Sequence, residues 1–89
     1  MTEPSVVKLE GALTLETVAA WLGRALPAGD LVLDFSGVTR VDSSALALLL
    51  AWLRRSKARK SAVELRAPPE SLLAFARLYG VDALLPLAA

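Results

Sequence analysis

At 89 residues with a net charge of +1, the chain has room for one small domain, residues 1–89, and carries no global pull toward nucleic acid or a membrane surface. It contains no Cys and no His, which excludes thiol nucleophiles, zinc–thiolate sites, disulfides and a histidine general base. Yet 55% of its residues are hydrophobic, mostly Leu and Ala, and a domain this small has a modest interior in which to hide them.

Residues 6–10 predict a first strand, with Val7 and Leu9 on one face, Lys8 and Glu10 on the other, and Gly11 as its end. Residues 14–26 predict a helix whose apolar stripe is Leu15, Val18, Ala19, Leu22 and Leu26. Pro27-Ala28-Gly29-Asp30 closes it. Residues 31–35 are nearly all apolar, as in a central strand covered on both faces. Residues 36–41 read as a connection. Asp42, Ser43 and Ser44 then offer three candidate caps for a second helix over residues 45–59.

Residues 63–66 alternate as a strand, with Val63 and Leu65 inward. Pro68-Pro69 starts a third helix with Leu72, Phe75, Ala76 and Tyr79 on its stripe and Gly80 as its left-handed stop. A turn or short helix over 82–85 follows. The order is β-α-β-α-β-α. It predicts an α/β fold, a small and mainly parallel sheet with helices on at least one face.

The longest uninterrupted apolar run, residues 45–53, is too short to cross a bilayer. Residues 1–5 lack the basic start and apolar stretch of a leader, so the expected location is cytoplasmic.

The second helix has more apolar surface than one stripe needs. At 100° per residue, Leu46, Leu49, Leu50 and Leu53 form a core stripe, and Leu48 and Trp52 then point outward beside Ala45, Arg55 and Arg59. Trp21 lies about 120° off the stripe of the first helix by the same rotation. Either another part of the chain covers these side chains, or Trp21, Leu48, Trp52 and Arg55 belong to a face built for a partner.

The turn Asp42-Ser43-Ser44 has two readings as well. It is a plain N-cap, or its free N–H groups hold an anion, including a phosphate on Ser43. Arg54, Arg55, Lys57, Arg59 and Lys60 cluster at the end of the second helix, where cations suit the dipole. A solvated helix end is the plain reading, with nucleic acid or anionic lipid headgroups as alternatives. The five glycines are scattered, so no glycine-rich phosphate loop forms; no metal site or cofactor is expected, and no nucleophile–base pair that would make an enzyme.

The segment Leu33-Asp34-Phe35-Ser36-Gly37-Val38-Thr39-Arg40-Val41-Asp42-Ser43-Ser44-Ala45-Leu46 resembles the signature of STAS domains, a strand, an Asp-Ser-Ser loop and a helix. That family includes anti-sigma factor antagonists and domains of sulfate transporters. The short length, Trp21, and the ending Phe75-Ala76-Arg77-Leu78-Tyr79-Gly80-Val81 are most similar to the branch that serves Mla-type phospholipid ABC transporters of Gram-negative bacteria.

The resemblance implies a small STAS fold and a non-catalytic subunit. It would bind the transporter's cytoplasmic ATPase, support assembly and activity in maintaining outer-membrane lipid asymmetry, and sit peripheral to the inner membrane without inserting into it. Asp42, Ser43, Ser44, Leu48, Trp52, Arg55 and Trp21 would contact the partner, and in isolation the same face could form a homodimer. The alternative is an anti-sigma factor antagonist switched by phosphorylation of Ser43. Ala45 stands where the family pattern has Gly, which narrows the backbone freedom of the loop.

Overall fold

Two helical crossovers make every strand parallel to its neighbour. In the computed structural model, which describes residues 3–86, the order is β1 (Ser5–Leu13), α1 (Val18–Leu22), β2 (Leu31–Val41), α2 (Ser43–Ala58), β3 (Val63–Arg66) and α3 (Glu70–Leu78). A 3-10 turn, Asp82–Leu84, follows. The ends of the expected domain, residues 1, 2 and 87–89, lie outside the described residues. The strands form one sheet in the order β1-β2-β3, parallel throughout, as the α/β pattern requires.

The helices cover one face of this sheet. Val7, Leu33 and Leu65 share a row, and Leu33 and Leu65 are buried beneath the helices with Leu9 and Leu13. The next row, Lys8, Asp34 and Arg66, belongs to the opposite face. Lys8 and Arg66 of that row are exposed and Asp34 half-buried, while Val32 in the adjacent row of the same face is buried. The N–H and hydroxyl of Ser36 hold the Asp34 carboxyl below its ordinary range, with smaller help from Arg66 and Lys8.

Three boundaries differ from the sequence reading. Gly11 does not end β1. It takes φ +77° at a register shift, and the strand runs on to Leu13. A left-handed residue at an irregularity of the ladder keeps the strand going, where a turn would stop it. Residues 36–41 are therefore not a connection: they extend β2 and pair with the second half of β1, up to Leu13 opposite Val41.

The first helix shrinks to five residues. Thr14 N–H bonds the Thr17 hydroxyl (2.9 Å), which itself donates to Ala12 O (2.8 Å), so side chains take up groups that a helix would use. Downstream, Pro27 disfavours helix at Leu26. Consequently the helix shortens at both ends, and the expected stripe fails at Leu15 and Ala19. Val18 is buried and Leu22 and Leu26 are half-buried, but Ala19 is exposed and Leu15 is 73% exposed.

β3 and α3 match the reading in extent, but Tyr79, expected on the apolar stripe of α3, falls outside it. Leu72 and Ala76 are fully buried, Phe75 is half-buried, and Tyr79 at the helix end is exposed. Gly80 takes φ +71°. Val81 N–H reaches Ala76 O (2.9 Å) and Gly80 N–H reaches Arg77 O (3.1 Å), the paired bonds of a glycine-terminated helix. A Cβ at Gly80 meets no atom within 4 Å, so strain in φ is the whole penalty. Gly80→Ala should therefore destabilise by about 1 kcal/mol, read as a lower urea midpoint with an unchanged slope.

Candidate functional site

Asp42 is the cap chosen from the three candidates. Its backbone is extended, and one carboxylate oxygen accepts from Ser44 N–H at 2.8 Å. The other accepts from Leu15 N–H at 3.0 Å, and Asp42 N–H donates to Leu13 O at 3.2 Å. One side chain thus ties the start of α2 to the loop after β1. Because the Asp42 carboxylate takes the Ser44 N–H and the Asp42 carbonyl takes that of Ala45, the anion-binding reading of this turn loses two of its N–H groups and gains a repelling charge.

The Leu15 N–H is the largest influence on Asp42. It outweighs partial desolvation and, with Ser44 and Arg40, holds the carboxyl below the ordinary Asp value of 3.8. A lowered folded value means that the tie contributes stability above the unfolded value and loses it as pH falls through the folded one. Asp42→Ala should lower Tm by several degrees at neutral pH. It should also flatten the fall in Tm on acidification, which thermal melts across the carboxylate range would show.

Ser43, in the first turn of α2, is exposed, and Ser44 is half-buried. The rest of the expected face is rotated. Leu48 is 2% exposed and Trp52 is 1% exposed, so neither side chain is available to a partner. The buried positions of α2 are Ala45, Leu46, Leu48, Leu49, Trp52 and Ser56. Their centre lies about 80° from the expected stripe at 100° per residue.

Packing on several sides explains the rotation. The sheet lies beneath α2, α1 packs along one flank, and α3 packs against it as well. Trp52 meets Trp21 of α1 edge to face, with ring centroids 6.4 Å apart. Leu50 and Leu53, expected in the core, are half-buried and line a cleft with Leu84. A helix covered on three sides needs apolar residues around most of its girth. The surplus that suggested a partner face is largely spent on the molecule's own packing, and Trp21 is half-buried in that packing.

The solvent side of α2 carries Ser43, Ala47, Ala51 and Arg54, with Leu50 at its edge. Ala47 and Arg54 are exposed, Ala51 and Leu50 half-buried. Leu15 stands beside its N-terminal end, held there by the bond from its N–H to Asp42. The result is an apolar strip with alanines at its centre, bounded by a serine and an arginine. Ala47 and Leu15 escaped the sequence reading. Ala47 is a small residue on a helix whose phase was misjudged, and Leu15 fitted a helical stripe that the threonine bonds prevent. Arg55 is not part of this strip: it lies about 100° around the helix from Arg54, and its guanidinium donates to Leu22 O at 3.2 Å.

Among the described residues no cluster of acidic side chains could hold a metal ion, and no helix is long and apolar enough to cross a membrane. The strip offers area and a hydroxyl rather than a reacting pair, which suits recognition. A protein-family model described as "Mlab, STAS domain" matches residues 2–86. No curated protein gives a significant match.

Proposed function

The chain belongs to the STAS domain family, whose members are in general non-catalytic interaction domains, and from that premise we propose that it docks on the cytoplasmic ATPase of an Mla-type phospholipid ABC transporter. The observation that carries this reading is the strip at the start of α2. Ser43 and Ala47 are exposed beside Leu15, on a segment fixed by the Asp42 tie. Small side chains on a helix start held by the Asp42 bonds lose little conformational freedom on binding. The description of the matching family model points to the Mla branch. In this reading Asp42 and Ser44 shape the loop, Ser43 meets the ATPase, and Leu48 and Trp52 hold α2 in position from below. Trp21 and Arg55 brace α1 against α2 outside the contact. The domain would be held at the inner membrane through the complex, and it would support assembly and activity of the transporter.

Mixing the purified domain with the transporter's ATPase subunit tests the reading by size-exclusion chromatography. Co-elution in a defined ratio is the expected result; separate elution at micromolar concentrations would remove it.

A second reading draws on the exposure of Ser43 at the family's Ser/Thr position. An anti-sigma factor antagonist would be phosphorylated there by a partner kinase. Intact-mass measurement after incubation with the cell's serine kinases separates the two. One phosphate on Ser43 with loss of partner binding favours the antagonist, and an unmodified chain favours the transporter subunit.

A further inference from the structure

Between the end of α1 and the last turns of α2 lies a cleft of about 420 Å³, lined by Arg24, Ala25, Leu26, Arg55, Ala58 and Arg59. Three arginines line it, and each guanidinium is held in place. Arg55 donates to Leu22 O at 3.2 Å. Arg59 donates to Leu26 O at 3.4 Å and to Pro27 O at 3.1 Å. The Arg24 guanidinium lies over the Trp21 ring, 4.3 Å from its centroid. A guanidinium has five N–H groups, so these bonds orient the arginines and leave most of their donors unused.

Nothing acidic answers this charge. The cleft lining has no carboxylate, and the one ion pair among the described residues is Arg77 with Glu70 on α3. Residues 17–29 and 43–63 contain no Asp or Glu, while they carry Arg24, Arg54, Arg55, Lys57, Arg59 and Lys60. The net charge of +1 conceals this segregation. Packing three like charges around one cleft is unfavourable unless an anion joins them, and planar guanidinium groups match phosphate oxygens in pairs.

We propose that the Arg24–Arg55–Arg59 cleft is an anion site for a phosphate ester, with the arginines on the phosphate and Ala25, Leu26 and Ala58 against the ester's carbon skeleton. The site stands apart from the start of α2 and does not depend on the ATPase reading. The phosphate could belong to an anionic lipid headgroup or to a free soluble ester, and the recognition chemistry is the same.

The test uses the whole domain with two probes, inorganic phosphate followed by NMR at the arginine side chains, and vesicles of phosphatidylcholine with or without phosphatidylglycerol followed by sedimentation. Phosphate should shift the Arg24, Arg55 and Arg59 signals. Arg24→Gln and Arg59→Gln should each weaken binding by about fivefold, the value of one basic residue near an anionic surface. Arg77→Gln on α3 should change nothing. The exposed Arg24 side chain makes no hydrogen bond or ion pair among the described residues and stacks on the Trp21 ring, so Arg24→Gln should shift Tm little and report on the site even if Arg59→Gln loosens α1. Binding to phosphatidylglycerol vesicles that is weakened about fivefold in these variants assigns the site to a headgroup. Binding of phosphate without vesicle binding assigns it to a soluble ester. Absence of both, or vesicle binding that Arg24→Gln and Arg59→Gln leave intact, overturns the proposal.

Discussion

Trp52→Ala should destabilise the domain by about 3–5 kcal/mol, the range for deleting a large buried aromatic side chain. Trp52 is 1% exposed and sits where α2 meets both the core and Trp21. At roughly 4–8 °C per kcal/mol for a chain of this size, Tm should fall by about 12 °C or more. The indole N–H is buried without a hydrogen-bond partner among the described residues. An unpaired buried donor is a burden in the native protein. Trp52→Phe, which removes that donor and keeps a ring, should therefore lose far less, about 1–1.5 kcal/mol. Urea denaturation followed by far-UV circular dichroism measures both. Near-equal losses for the two variants would mean that Trp52 is not the packed keystone described above. If Trp52 lay on an exposed partner face, neither substitution would move Tm by more than a few degrees.

Ala47→Arg should reverse that pattern. Ala47 is exposed on α2 one turn beyond Ser43, and surface substitutions of this kind usually change stability by no more than about 0.5 kcal/mol. A long charged side chain in the centre of the small-residue strip would hold the ATPase off the helix and leave its own charge poorly solvated. Affinity should fall at least about thirtyfold, equivalent to about 2 kcal/mol, the threshold of an interface hot spot. Leu15→Glu should act in the same direction, because Leu15 flanks the strip. Isothermal titration against the ATPase subunit measures the loss, with Arg77→Ala on α3 as the unaffected control.

Legibility in the sequence depended on how local the cause was. β3, α3 and the Gly80 stop were readable because neighbouring residues determine them: alternation over four residues, two prolines before a helix, a glycine at φ +71° after it. The lengths of β1 and β2 were not, since each continues only because the other does, through pairs such as Gly11 with Val38 and Leu13 with Val41. Lys60 shows the same limit. It takes φ +57° at the end of α2, with Ser61 N–H bonded to Ser56 O at 2.8 Å. That is a glycine-like role at a position where the sequence has no glycine.

For the site, Asp42 and Ser43 could be read from the cap pattern, and the family motif falls on them. The facing of α2 could not. Leu46, Leu49, Leu50 and Leu53 make as good a stripe as Ala45, Leu48, Leu49 and Trp52, and the choice between them is made by α1 and α3, which lie far away in sequence. A helix with apolar residues on most sides has no phase that its own sequence can declare. Its environment decides which of them remain for a partner, and on the solvent side it leaves Ala47 and Ala51, with Leu50 at the edge.

Nuclear magnetic resonance of the 9.4 kDa domain offers the most direct view of the docking surface. Backbone amide signals would be followed as the unlabelled ATPase subunit is added. The proposed contact predicts that attenuation starts at Leu15, Ser43, Ala47 and Ala51 and spares Lys8, Asp34 and Arg66 on the open face of the sheet. Attenuation that begins at Lys8, Asp34 and Arg66 and leaves the start of α2 untouched would contradict it.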